Sequence, residues 1–334
     1  MRILATTHNF KREGAQIILF RLLRRLRLTH EVTVLGGDRH EPLREEYERL
    51  GISCVEKARP SAFDVVLANT LLGSPYVMRF APRVPVVWWI HEPRFGLKII
   101  ERGAADPAAF SAARVVVFPT DWQANGHYRP YLTRPNWRVV PYGIGLDVTP
   151  RPCPFDKRPG GFDLVHVGLI DWRKGQDLTQ AAIALLDDPG LRVFFLGEIT
   201  AHMPRVESPA FVWCGAQPEE VVSAYLQHCD AVLFPTRDDL ITLAILEALL
   251  FSRCVLASDY GPIPQTIRHG HSGLLSPTGD AHVLAANIRM VRDDRRLLAR
   301  IGAAGRQAYD ERHDFERHVA GMEAALEAAA GGAP

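Results

Sequence analysis

What this chain of 334 residues lacks narrows its class first. It has five cysteines, Cys54, Cys153, Cys214, Cys229 and Cys254, odd in number and with no C-x-x-C pair. That argues against a disulfide framework or a zinc site and reads as reduced thiols in a cytoplasmic protein. No run of ~18 apolar residues is present, which excludes an ordinary membrane-spanning helix. No secretory signal is expected, because residues 1–7 already read as a strand and the next apolar stretch carries arginines. Charge of one sign is also missing: 39 Lys+Arg against 38 Asp+Glu give a formal net charge of +1, so no global field points to nucleic acid. The dinucleotide fingerprint G-x-G-x-x-G is absent. Gly143-Ile144-Gly145 lacks the third glycine, which argues against a nicotinamide-dependent dehydrogenase. No set of His, Asp and Glu has metal-ligand spacing, so neither a metal nor a bound cofactor is expected.

What the chain does have is repeated α/β patterning. Unbroken apolar runs at 3–5, 32–35, 65–68, 84–90, 115–118 and 139–140 suit strands buried on both faces of a parallel sheet. Helical spacing at 14–28 and 43–50 lies between them. The stretch 148–161 then breaks the pattern with Pro150, Pro152, Pro154, Pro159, Gly160 and Gly161, as a linker would. Strands at 164–167, 193–196, 211–214, 231–234 and 255–257 follow, with helices at 178–186, 219–228 and 242–251. The expected organisation is two Rossmann-like α/β domains, 1–148 and 149–314. Residues 315–334 are expected to form a C-terminal helix packing back on the first domain, with a frayed Ala/Gly-rich end.

Ligands of open α/β sheets bind beyond the carboxyl ends of the strands. Five strand ends carry candidate chemistry. Gly14 and Ala15 open the first helix, where a glycine admits close backbone approach and a helix N-terminus favours an anion; a plain turn fits equally well. His91-Glu92-Pro93 follows an apolar run, and on position alone a structural histidine is the better reading. Gly168 to Gly175 places Arg173 and Lys174 beside a helix start, a phosphate site or a solvated turn. The fourth end is the most informative. Asp238 and Asp239 precede Thr242, a good N-cap, and Glu247 sits in a helix apolar all round. A buried carboxylate needs a partner: Arg253, or the vicinal hydroxyls of a ribose, which the adjoining acidic loop and helix start favour. The fifth is the turn Asp259-Tyr260-Gly261-Pro262, able to shape a pocket or simply to turn.

In order and spacing these segments resemble the GT-B glycosyltransferases of glycosyltransferase family four, the retaining, metal-independent group. The resemblance spans nearly the whole chain and is strongest at 164–305. It rests on the strand–Gly–turn–Lys-Gly run at 167–175 and on the E-x7-E spacing of Asp239 and Glu247. The run Gly270-His271-Ser272-Gly273-Leu274-Leu275 and the segments 30–35, 68–70 and 88–92 add to it. The resemblance implies two Rossmann-like domains and a nucleotide-sugar co-substrate. Lys174 would hold the donor diphosphate, Glu247 the ribose and Asp239 the sugar. The backbone of Thr242 and Leu243 would meet the phosphate, with Gly14 and Ala15 on its other side. His91 would lie near the transferred sugar, Gly168 and Arg173 in the phosphate turn, and Gly215 near the base. The chain departs from the family pattern at Leu169, where an arginine is usual, and at Asp239, one methylene short. It departs also at Leu240-Ile241-Thr242, in place of Gly-Phe-Gly, and at Gln265, in place of a glutamate.

The implied reaction moves a hexose from a UDP- or GDP-sugar to a hydroxyl acceptor, lipid-linked acceptors included. An epimerase or phosphorylase on the same fold, or a weakly active binding subunit, are the rival readings. The helix expected at 14–28 carries Arg21, Arg24, Arg25 and Arg27 among leucines and isoleucines. Such a helix suits peripheral contact with an anionic membrane, or, with the better odds, an ordinary Rossmann helix laid on its sheet.

Overall fold

The structure, a computed structural model, describes residues 1–37, 41–199, 203 and 205–331. Along them run β1 (Arg2–Thr6), α1 (Gly14–Leu26), β2 (Glu31–Leu35), α2 (Pro42–Arg49), β3 (Ser53–Val55), β4 (Val65–Asn69), α3 (Ser74–Phe80), β5 (Val86–Trp89), α4 (Gly96–Glu101), α5 (Ala109–Ala112), β6 (Val115–Phe118), α6 (Asp121–Gln123) and β7 (Trp137–Val139). The chain continues through β8 (Phe162–Val167), α7 (Gln176–Leu186), β9 (Leu191–Leu196), β10 (Phe211–Gly215), α8 (Glu219–His228), β11 (Ala231–Phe234), α9 (Leu243–Leu250) and β12 (Cys254–Ser258). It closes with α10 (Ile263–Thr266), β13 (Leu274–Ser276), α11 (Ala281–Asp293), α12 (Arg295–Arg312) and α13 (Phe315–Gly331). The final residues of the expected C-terminal helix, 332–334, lie outside the described residues.

The chain divides into two compact units, one of Met1–Gly145 with the chain from Asp314 onward, the other Leu146–His313. In the first unit β1 to β7 form a parallel sheet of order β3-β2-β1-β4-β5-β6-β7. The second holds a parallel sheet of order β10-β9-β8-β11-β12-β13. Each order reverses once, between β1 and β4 and between β8 and β11, and the crevice at such a reversal is where doubly wound sheets bind ligands. Each sheet is Rossmann-like, as the sequence pattern implied.

Burial explains the sequence pattern. The central strands β4, β5, β6 and β11 are buried at every position, as their unbroken apolar runs require. One core gathers Leu4, Val66, Trp88, Phe110 and Tyr128; the other gathers Leu164, Phe195, Leu233, Leu256 and Ile288. The expected strand at 84–90 is shorter, Val86–Trp89. Edge strands β3 and β13 went unrecognised because each has only three residues. Helices α11 and α12 are rich in arginine, and a search for apolar runs passes over them.

Helix α1 is used inside its unit. Ile18, Leu19, Leu22, Leu23 and Leu26 are buried, and so is Arg21. The Arg24 guanidinium donates to the Gly145 carbonyl, and Arg25 pairs with Glu316 at 2.9 Å. On its flanks Lys11, Arg12, Glu13, Arg27, Leu28 and Thr29 are exposed. Helix α13 lies on β4, β5 and β6, with Val319, Met322, Ala325 and Leu326 buried. Gly143 and Gly145 serve this packing: a Cβ at Gly143 would meet the Asp314 carbonyl, and one at Gly145 the Phe315 ring.

Candidate functional site

In the second unit, chemistry collects at the carboxyl ends of β8 and β11. Strand β8 runs out into Gly168, whose φ of +139° suits a residue without a Cβ. The turn that follows folds back because the Asp171 side chain accepts from the Lys174 amide at 3.0 Å. Gly175, at φ +79°, starts α7; a Cβ there would collide with the Pro235 carbonyl at the end of β11. The two loops are stitched together. The Arg173 carbonyl accepts from the Arg237 amide at 2.8 Å and the Thr236 hydroxyl at 3.0 Å, while the Arg173 guanidinium donates to the Asp238 carbonyl at 3.0 Å.

This stitching brings two cations to the Asp239 carboxylate, with Asp171 3.9 Å from Arg173 on its other side. The Lys174 ammonium donates to Asp239, and Arg173 lies 3.4 Å from the same oxygen. The other Asp239 oxygen accepts from the Leu240 amide at 3.2 Å. Thr242 caps α9, accepting from the Ile245 amide at 3.2 Å, as its sequence position predicted. The first turn of α9, with Leu243, is partly open, whereas the rest of the helix is buried. Glu247 lies in that buried part, 8% exposed. Arg253, weighed as its partner, donates to the backbone carbonyls of Phe251 and Cys229. Gly215 ends β10 at φ +70° and accepts from the Gly197 amide at 2.8 Å. Gly197 in turn packs on the Gly168 carbonyl.

Two features of this cluster were missed in the sequence. His166 breaks the apolar run of β8; its Nδ1 lies 3.0 Å from the Thr179 hydroxyl. Burial, and then the charge of Lys174, push its pKa down to about 3. A polar residue inside a buried strand was the available signal. Trp172, 65% exposed, carries the Arg237 guanidinium 4.6 Å over its ring, and Arg237 is bidentate to Asp177 at 2.8 and 2.6 Å. Arg173 and Lys174 thus stand beside two helix N-termini, with Asp239 on both and Asp171 3.9 Å from Arg173, and cations at helix N-termini suit a phosphate.

The cluster of the first unit is different in kind. At the β1–β4 reversal His8 Nδ1 meets the Thr70 hydroxyl at 3.1 Å, and the Gln16 amide donates to His8 Nε2 at 3.1 Å. Thr70 itself has φ +66°, a strained value for a β-branched residue. It is held by its amide on the Trp89 carbonyl (2.9 Å) and by the Trp88 indole on its own carbonyl (2.7 Å). His91 follows β5. Its Nε2 lies 2.7 Å from Asn69 Oδ1 and its Nδ1 2.7 Å from the Tyr142 hydroxyl. Asn69 donates to the Ala15 carbonyl at 3.2 Å, which ties this group to the start of α1. Gly14 opens α1 with open space where a Cβ would stand, and no side chain caps the helix.

Glu92 is buried beside His91. Its carboxyl accepts from the Leu71 amide at 3.0 Å and the His91 amide at 3.1 Å. Burial outweighs these bonds and raises its pKa to about 7. Burial also lowers His91 to about 3, with His318 and His8 adding to the shift. Thus Gly168, Arg173, Lys174, Asp239, Thr242, Leu243 and Glu247 gather in one unit, and Gly14, Ala15 and His91 in the other. His8 and Tyr142 were missed as members of the second group, while Glu92 was named with His91 but given no role. Among the described residues no three His, Cys, Asp or Glu side chains are placed to share a metal ion, and no helix is long and apolar enough to cross a membrane.

Comparison with known proteins agrees with the fold. Residues 161–294 match the family model of group 1 glycosyl transferases. The amylovoran biosynthesis glycosyltransferase AmsK of Erwinia amylovora is 30% identical over 112 residues, 32% of this chain and 27% of that protein. A D-inositol 3-phosphate glycosyltransferase of Jonesia denitrificans is 24% identical over 313 residues, 78% of this chain and 71% of that protein. The first curated relatives are matched over less than half their length, 27% and 41%. Among solved structures, Anabaena HepE in complex with UDP and glucose superposes with a TM-score of 0.77 at 16% identity, covering 98% of this chain and 99% of that one. Sucrose-phosphate synthase of Thermosynechococcus elongatus superposes with a TM-score of 0.75 at 16% identity, covering 97% of each chain.

Proposed function

We propose, from the premise that this chain is a GT-B glycosyltransferase with its group 1 region at residues 161–294, that it transfers a hexose from a UDP- or GDP-sugar to a hydroxyl acceptor. The observation that carries this reading is the Arg173–Lys174–Asp239 cluster against the capped start of α9. Such a cluster suits the diphosphate of the donor, with its cations at the charge that grows as the sugar–phosphate bond breaks. In this account the diphosphate displaces Asp239 from Lys174, and Asp239 turns to a sugar hydroxyl. Glu247 holds the ribose hydroxyls, and Gly215 lies toward the base. As the family resemblance implies, Gly14 and Ala15 serve the phosphate and His91 lies near the transferred sugar. The likeness to HepE, solved with UDP and UDP-glucose, supports a nucleotide-sugar donor.

The bond that breaks joins the anomeric carbon to the diphosphate; the bond that forms joins that carbon to the acceptor oxygen. A departing phosphate oxygen takes the acceptor's proton on the same face, so the configuration is retained. Lysine, arginine and helix N-termini neutralise the diphosphate, so no divalent metal is required. The test is incubation of the pure protein with a panel of nucleotide sugars and hydroxyl acceptors in EDTA. Product analysis by NMR should show a new glycoside of the donor's own anomeric configuration. Sugar isomerised without an acceptor would mean an epimerase, and an inverted or strictly Mg²⁺- or Mn²⁺-dependent product would refute the mechanism.

A further inference from the structure

The His91 site determines its own protonation. Asn69 donates through Nδ2 to the Ala15 carbonyl, so its Oδ1 is the atom facing His91. An amide oxygen only accepts, so His91 Nε2 carries the hydrogen. In the neutral ring Nδ1 is then a lone pair, and it faces the Tyr142 hydroxyl, which donates. The two rings stack, 12° from parallel with centroids 5.8 Å apart, and Trp89 packs on the imidazole at 4.4 Å. Protonation would turn Nδ1 into a donor aimed at a hydroxyl whose hydrogen already points inward.

We infer that Asn69 and Tyr142 are positioning residues that lock His91 as the neutral, Nε2-protonated imidazole. The inference rests on the reading of the site given above, in which His91 lies near the transferred sugar. As the sugar–phosphate bond breaks, positive charge develops at the anomeric carbon. An imidazolium beside it would oppose that charge, the more strongly in a dry site. The surroundings agree. His318 from α13 and His8 beyond β1 are the titratable groups whose charge opposes a proton on His91. Glu92, whose carboxyl accepts from the His91 amide, is itself pushed toward neutrality by burial. Tyr142 faces the ring with an uncharged hydroxyl.

Imidazole NMR of the full chain, labelled at histidine, tests the lock without any assay of transfer. Wild type should show His91 as the Nε2–H tautomer, with no titration from pH 8 down to about 5. Asn69→Asp replaces the amide oxygen by an anion and should bring His91 into titration at least two pH units higher. Tyr142→Phe, which keeps the ring, should keep His91 neutral but release Nδ1, seen as faster ring exchange. A His91 that titrates near 6.5 in wild type, or carries its hydrogen on Nδ1, overturns the inference. In turnover of UDP-glucose, Asn69→Asp should move the acid limb of the kcat profile upward by the same interval. Tyr142→Phe should lower kcat about tenfold with little change in KM. Unchanged kcat profiles in both variants of an active enzyme would also overturn it. An inactive wild type with the NMR signature intact would instead count against the glycosyl-transfer reading alone.

Discussion

The two sheets share one kind of strand order and one kind of reversal, yet they do different work there. At β8–β11 the side chains are ionic: Arg173, Lys174 and Asp239 share one contact, and the loops around them are stitched through backbone groups. At β1–β4 the histidines are neutral and closed, His8 on Thr70 and Gln16 and His91 on Asn69 and Tyr142, while Glu92, raised to about 7, sits on two amides. A crevice at a topological switch point fixes where a ligand goes, not which chemistry meets it. In the proposed reaction the division is useful. An ionic cluster suits a leaving diphosphate, and a neutral histidine suits a neighbour that becomes transiently cationic.

The comparison can be broken most directly at Glu247 and Lys174. Glu247→Ala should remove measurable nucleotide binding by calorimetry while the melting temperature stays within a few degrees. Wild-type binding would make Glu247 a structural residue. Lys174→Ala should lower kcat/KM about a hundredfold, some 3 kcal/mol of lost charge stabilisation, and Arg173→Ala about tenfold. A larger loss at Arg173 would mean that it, not Lys174, is the principal cation of a turn that carries Leu169 where an arginine is usual.

Two glycines sharpen the contrast at the next level. Gly175 sits at φ +79° with its missing Cβ against the Pro235 carbonyl. Gly175→Ala should destabilise the second unit by about 2–4 kcal/mol in urea unfolding. Gly14 has open space and an ordinary φ, so Gly14→Ala should leave stability unchanged and weaken donor binding only. Equal effects on stability would show that Gly14 too is there for the fold.

The last comparison concerns pH. His91 and His166 have folded pKa values depressed to about 3, so the stability they contribute is present above pH 6.5 and is lost as pH falls from there. Glu92 is raised to about 7; its contribution is present below pH 4.5 and is lost as pH rises through 7. Each group adds at most about 1.4 kcal/mol per pH unit within its window. The first unit should therefore lose stability on both sides, and the second, through His166, on the acid side. Glu92→Gln should flatten the alkaline limb of unfolding free energy against pH while leaving the acid limb in place.

These differences also explain what could be read in advance. Asp239 and Glu247 flank Thr242, which caps a helix through a contact three residues away, so local spacing carried them, and Lys174 was legible in its own turn between Gly168 and Gly175. Central strands were legible because burial on both faces forces unbroken apolar runs. The neutral cluster was hidden because it is assembled from distant segments: Ala15, Asn69, His91 and Tyr142 have no common spacing, and each alone is an ordinary residue. Gly143 and Gly145 stood out only as an incomplete dinucleotide motif; their packing on Asp314 and Phe315 depends on where α13 returns. Of the arginines of α1, Arg24 meets the Gly145 carbonyl and Arg25 meets Glu316, contacts that depend on distant segments and leave no signal in the helix itself.

The central claim is that Arg173, Lys174 and the start of α9 form a diphosphate site that needs no metal. Isothermal titration of wild type and Lys174→Ala with UDP and with uridine, in EDTA, tests it most directly. The account predicts that wild type binds UDP far more tightly than uridine, and that Lys174→Ala erases most of that difference while still binding uridine as before. A guanine preference, with GDP over guanosine showing the same pattern, would keep the site and change the base. Equal affinity for diphosphate and nucleoside in wild type, for both bases, would contradict the account.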